Sequence, residues 1–259
     1  MAAQNQSTKV LSGAGLRGQV AGKTALSTVG KSGSGLTYRG YDVSELADKC
    51  VFEEVAYLLL YGNLPTQSEL DAYQTKLKGL RGLPQALKDV LERIPADAHP
   101  MDVLRTGCSM LGNLEMEPDF SQEKDKTDRM LAVFPSIINY WYRFTHDNVR
   151  IETETDDDTI GGHFLHLLKG EKPNELHTKV MNVSLILYAE HEFNASTFTA
   201  RVCASTLSDI HSCITGAIGS LRGHLHGGAN EAAMDMIEGF TSADEAEEEM
   251  MAMLARKDK

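Results

Sequence analysis

Between Gly223 and Ala233 the sequence reads GHLHGGANEAA, with His224 and His226 one residue apart and a Gly-Gly pair directly after them. An imidazole can ligate a metal, move a proton or hydrogen-bond a carbonyl oxygen. A metal site needs further ligands at familiar spacing, and none completes His224-x-His226. Glycine lets the backbone approach a ligand closely, or take a positive φ, just before a helix. Here the pattern predicts a helix from Ala232. A helix N-terminus presents free N–H groups and positive potential, which disfavours a protonated ring placed there. A neutral ring N–H can donate to a carbonyl oxygen as that oxygen gains negative charge. That use accounts for the glycines as well as the ring, with His226 as the donor and His224 incidental.

A second cluster lies at LYAEHEFNASTFTARV, residues 187–202. One reading of His191 is a core histidine on an apolar helix, satisfied by Glu190 or Glu192. Yet Asn194, Ser196 and Thr197 follow at once, and such a polar group interrupting an apolar run suggests a polar cavity. His163 and His166 stand at i and i+3, so they share a helix face. With leucines around them and no third ligand at metal-site spacing, they read as hydrogen-bonded imidazoles. Gly30-Lys31-Ser32 invites a phosphate-loop reading, but Ala25 stands where the motif needs its first glycine. A glycine-bearing hairpin turn accounts for it.

The elements that must position these groups are helical. The 259 residues allow one large domain or two ordinary ones, and 42% apolar with 24% charged residues is the composition of a soluble globular protein. The net charge of −12 argues against nucleic acid, which needs a basic face. It leaves room for an anionic small molecule bound by a few local cations. Cys50, Cys108, Cys203 and Cys213 are scattered and read as reduced thiols of a cytoplasmic protein. The N-terminal sequence lacks the apolar core of a secretory signal, and no apolar run approaches the length of a membrane span.

Residues 1–20 read as a flexible arm. Gly22–Asp42 suggests a short β-hairpin. After it the spacing predicts helices over Val51–Tyr61, from the Thr66 capping box, over Pro84–Ile94, Pro100–Leu114 and Lys124–Thr145. Pro135 is expected to kink or break the last of these. Further helices are expected after Thr159 and over Glu175–Glu190, Asn194–Ser208, Ser208–Gly219 and Ala243–Lys259. The class is all-α.

The quoted motifs also carry a resemblance. LYAEHEFNASTFTARV, followed by LRGHLHGGANEAA, resembles the citrate synthase superfamily. TVGKSGSGLTYRGYDV, FEEVAYLLLYGNLP and ETDDDTIGGHFLHLLKGEKP look closer to its bacterial 2-methylcitrate synthase branch. The resemblance implies an all-α homodimer with a large and a small domain. It places residues 21–225 in the large domain and 226–259 at the beginning of the small one. It implies condensation of propionyl-CoA with oxaloacetate, with acetyl-CoA as the alternative acyl donor and no bound cofactor. By resemblance, His226 contacts the thioester oxygen and His191 lies in the oxaloacetate pocket. Asn194, Ser196 and Tyr188 are candidates around that pocket, with Ser196 orienting His226. The family carries a further His, a catalytic Asp and substrate-binding Arg residues beyond the point where this sequence stops. The 259 residues alone are therefore expected to be inactive. From other classes, a helical interaction module without chemistry and a metal-binding helical protein remain as alternatives.

Overall fold

The computed structural model describes residues 21–30 and 35–256. The expected arm, residues 1–20, and residues 31–34 of the glycine-bearing turn lie outside the described residues.

The N-terminal hairpin is a three-stranded antiparallel sheet of β1 (Ser27–Val29), β2 (Leu36–Tyr38) and β3 (Tyr41–Asp42), in the order β1-β2-β3. Ser27 stands opposite Tyr38, and Thr37 opposite Asp42. The two residues between β2 and β3 both take positive φ, Arg39 at 46° and Gly40 at 92°. That pairing matches the right-handed twist of the strands it joins.

Twelve α-helices follow among the described residues. They are α1 (Val43–Lys49), α2 (Phe52–Tyr61), α3 (Gln67–Lys78), α4 (Gln85–Leu91), α5 (Pro100–Leu114), α6 (Glu123–Asp147), α7 (Ile160–Lys169), α8 (Glu175–Leu187), α9 (Ala195–Ala204), α10 (Ile210–Leu221), α11 (Gly228–Glu238) and α12 (Ala243–Arg256). A 3-10 turn at Phe120–Gln122 leads into α6. Several starts are set by short polar side chains, as the sequence indicates. Thr66 caps α3 and Glu69 returns a bond to its backbone, Thr159 caps α7, Asn174 caps α8 and Asp209 caps α10.

α6 divides the core. Met130, Val133, Ile137, Tyr140 and Trp141 fall on one stripe and pack with Leu87 and Leu91 of α4, with Val103, Cys108 and Leu111 of α5, and with Ile218 of α10. Ala132 lies in a second cluster with Tyr38 of the sheet, Val55 and Leu58 of α2, Tyr73 of α3, Ile160 of α7 and Ile186 of α8. Ser136 and Asn139 bond α7, to His163 and to the Phe164 carbonyl. A helix buried on so many sides overrides the proline signal. α6 runs unbroken through Pro135. The missing N–H costs about 3 kcal/mol. Burial of residues such as Ile137, Tyr140 and Trp141 offsets it at about 1.5–3 kcal/mol for each large apolar side chain.

Two boundaries move in ways that matter for chemistry. α8 ends at Leu187 instead of Glu190, and α11 starts at Gly228 instead of Ala232. No helix among the described residues is long and apolar enough to cross a membrane.

Candidate active site

His226 is carried by the turn between α10 and α11. The turn is closed by backbone bonds from His226 N and Gly228 N to the Gly223 carbonyl, at 2.9 and 3.2 Å. Gly227 has φ −61°, so a positive φ is not the reason for glycine here. A Cβ at Gly227 would lie 2.6 Å from the Leu221 carbonyl oxygen. Glycine is required because α11 starts against the last turn of α10. The glycine thus has a packing reason of its own within the fold.

The His226 ring is aimed at another helix. Its Nε2 accepts the backbone N–H of Ser196 at 3.2 Å and lies 2.9 Å from Ser196 Oγ. Ser196 is in the first turn of α9, whose cap is Asn194. Asn194 Oδ1 accepts from Thr197 N at 2.8 Å and from Ser196 Oγ at 2.7 Å. Two free N–H groups of the helix start are thus satisfied, one by the cap and one by the imidazole. An amide N–H can only donate, so Nε2 is an acceptor and the neutral ring carries its proton on Nδ1. His226 directly precedes the start of α11, with Ala229 N donating to its carbonyl at 3.0 Å, and its ring reaches the N-terminus of a second helix, α9, 30 residues earlier in the chain.

His191 lies on the irregular segment between α8 and α9, not on a helix. Its neighbours do not satisfy it. Glu190 Oε1 accepts from Ser27 Oγ at 3.0 Å, and Glu192 Oε1 accepts from Val29 N at 3.3 Å. Glu192 N donates to Ser27 Oγ at 3.0 Å, and Glu190 N to Tyr38 Oη at 3.3 Å. The sheet therefore holds the residues on both sides of His191, and the His191 side chain is left exposed. Phe193 packs its ring under the Arg201 guanidinium, 4.8 Å from its centroid. Tyr188, at the end of α8, is 73% exposed. The structure thus joins His226, Ser196 and Asn194 by hydrogen bonds. His191 is fixed through its backbone neighbours, and Tyr188 is open to solvent. His224 is exposed. Ser27 and Tyr38 carried no signal in the sequence, because they reach the segment from about 150–165 residues away.

His163 and His166 match the hydrogen-bonded reading. His163 is fully buried between Ser136 Oγ (3.2 Å) and Thr155 Oγ1 (3.1 Å), and burial pushes its pKa down to about 3. His166 Nδ1 is 2.7 Å from Asp157 Oδ2. Among the described residues no group of three or more His, Cys, Asp or Glu is arranged to hold a metal ion. Clefts of about 560 Å³ lie beside Thr155, Asp157 and His166, and between α11 and α12, and neither is lined by His191 or His226.

Residues 15–259 match the family profile described as citrate synthase, C-terminal domain. The chain belongs to the citrate synthase family. It is 74% identical over 251 residues to 2-methylcitrate synthase of Shewanella oneidensis, covering 97% of this chain and 67% of that one. It is 45% identical to 2-methylcitrate synthase of Mycobacterium tuberculosis, covering 95% and 62%. Among solved citrate synthase structures, that from Thermotoga maritima superposes with a TM-score of 0.82 at 36% identity, covering 95% of this chain and 65% of that one. The Thermoplasma acidophilum citrate synthase, a ternary complex with carboxymethyl coenzyme A and oxaloacetate, gives 0.79 at 30% identity, covering 87% and 60%. The chain thus spans 60–67% of the length of these citrate synthase relatives.

Proposed function

We propose that this chain belongs to a 2-methylcitrate synthase, which condenses propionyl-CoA with oxaloacetate and water to give 2-methylcitrate and CoA. The observation that carries the reading is the bond from Ser196 N to His226 Nε2. It fixes the tautomer that leaves Nδ1–H as a donor for a carbonyl oxygen. The α-proton of a thioester is very weakly acidic, so its removal needs a donor on the carbonyl oxygen and a base at the α-carbon together. His226 supplies the donor, aligned by Ser196 and, through it, Asn194.

The enolate carbon then attacks the ketone carbon of oxaloacetate. A carbon–carbon bond forms and the ketone oxygen gains negative charge. His191 is the proposed donor for that oxygen, with Tyr188 at the margin of the same segment. Water then cleaves the thioester and releases CoA. The condensation and the thioester hydrolysis together are redox-neutral, so the reaction calls for no redox cofactor. By resemblance, the base is an Asp carboxylate.

A homodimer is the proposed assembly. In one chain α9 buries none of its side chains fully and exposes Val202, and Leu207 in the turn after it is exposed too. The proposed setting is the cytoplasm.

The identities favour propionyl-CoA over acetyl-CoA as acyl donor. One methylene is worth about 1–3 kcal/mol in an apolar pocket. Thiol release by the full-length gene product, followed with both acyl-CoAs and oxaloacetate, tests this. A kcat/KM at least tenfold higher for propionyl-CoA is expected. A preference for acetyl-CoA would make it a citrate synthase, and no CoA release with either would overturn both readings.

A further inference from the structure

Ser27 and Tyr38 stand directly opposite each other in the β1–β2 ladder, so their side chains leave the same face of the sheet. Both are buried, Ser27 at 4% exposure and Tyr38 at none. Both reach the α8–α9 segment, and they reach it on either side of one residue. Tyr38 Oη accepts from Glu190 N and donates to the Ile186 carbonyl at 2.9 Å, which ties the segment to the end of α8. Ser27 Oγ accepts from Glu192 N and donates to the Glu190 carboxylate. Val29 N adds a bond to the Glu192 carboxylate. Glu192 is held at φ +54°, a backbone region that a non-glycine residue enters only at a cost.

The residue between these two gripped amides is His191. Glu190 and Glu192 are both taken up by the sheet, so the ring between them has neither carboxylate as a partner and stays open to solvent. A single-residue left-handed turn would relax if its bonds were lost, and it would carry the ring with it.

We propose that Ser27 and Tyr38 are positioning residues for His191: the N-terminal sheet sets where this ring points by holding the amides on both of its sides. The inference rests on the proposed reaction for His191's role, since only then does the direction of the ring bear on oxaloacetate. Ser27 and Tyr38 touch no reacting atom. Their effect is to spare the substrate the work of ordering the segment, which lowers the concentration needed to fill the site.

The test uses Ser27→Ala and Tyr38→Phe in the full-length gene product, with Ser27→Thr as the variant that keeps the hydroxyl. Amide hydrogen exchange is read together with steady-state kinetics. Ser27→Ala should speed exchange at Glu192 about tenfold, and Tyr38→Phe at Glu190, while amides inside α6 keep their rates. The KM for oxaloacetate should rise about tenfold in both, with the KM for propionyl-CoA within twofold of the unsubstituted protein. Ser27→Thr should restore both readouts. Unchanged exchange at Glu190 and Glu192 overturns the proposal. So does equal acceleration in α6, which would mark a general loss of stability. Faster local exchange with an unchanged oxaloacetate KM overturns it too. If the unsubstituted protein turns over no substrate, the proposed reaction falls, and the exchange rates alone then decide whether the sheet holds His191.

Discussion

His226 Nε2 accepts the Ser196 amide N–H at 3.2 Å, across 30 residues of sequence. One ring thereby completes the first turn of α9 and leaves its own Nδ1–H as a donor. The bond has two sides, one structural and one chemical, and substitutions separate them.

His226→Ala removes the carbonyl donor. The expected outcome in the full-length gene product is a fall in kcat of about 100–1,000-fold, the usual loss for a single oxyanion donor. The Ser196 amide is left to water at a half-buried helix start, so the folded state should survive with a small loss of stability. Circular dichroism and thermal unfolding measured beside the rate check this. A variant that fails to fold would assign the ring to structure.

Ser196→Ala is expected to be milder. The backbone N–H that fixes the tautomer remains, and only the Oγ contacts to His226 and Asn194 are lost. A net hydrogen bond of about 1 kcal/mol corresponds to roughly a fivefold fall in kcat. A loss as large as that of His226→Ala would mean that Oγ, not the amide, orients the ring.

Glu53 predicts a pH dependence of stability. It is 1% exposed, its Oε1 accepts from Ile160 N at 2.6 Å, and its Oε2 lacks a partner. Burial raises its pKa from 4.5 to about 7. The folded state then binds this proton more tightly than the unfolded chain, so stability falls as pH rises from about 4.5 to about 7. The shift corresponds to about 3 kcal/mol. Glu53→Gln keeps the acceptor for Ile160 and removes the charge. Urea unfolding of both proteins at a series of pH values should show the variant gaining on the wild type across that window. A constant difference would place the titration elsewhere.

Asp128 is fully buried on α6 and accepts from Tyr61 Oη at 2.8 Å, Tyr73 Oη at 2.8 Å and Lys76 Nζ at 2.7 Å. Burial first, and then the Asp128 carboxylate, push the Tyr61 phenol up to about 12. Asp128→Ala strands the two phenols, while Lys76 Nζ keeps Asp125 Oδ1 at 2.7 Å, and the expected loss is about 2–4 kcal/mol. Asp128→Asn keeps an acceptor and should cost less. Equal losses for the two would argue against the network.

The helices were legible where local rules and burial agree. The Thr66 capping box starts α3, and Pro100–Leu114 is α5 to the residue. The misread places are those where long-range packing outweighs a local signal. Pro135 does not break α6, because the helix is buried on several sides. α8 stops at Leu187, because the sheet takes the Glu190 and Glu192 amides out of the helical ladder. Gly227 is needed for the clearance of α11 over Leu221, a distance no spacing rule contains.

The sequence by itself determined the helical class, the Thr66 capping box, the family, and His191, Asn194, Ser196 and His226 as the groups worth watching. Those facts are local, and period, cap chemistry and residue type carry them. The tertiary structure decided which atoms meet. It set the His226 ring against the start of α9 as well as placing its backbone at the start of α11, and it put bonds from Ser27 and Tyr38 on the amides either side of His191. Such pairings join residues 30 to 165 positions apart. They exist only once the cores on both sides of α6 have brought the helices and the sheet together.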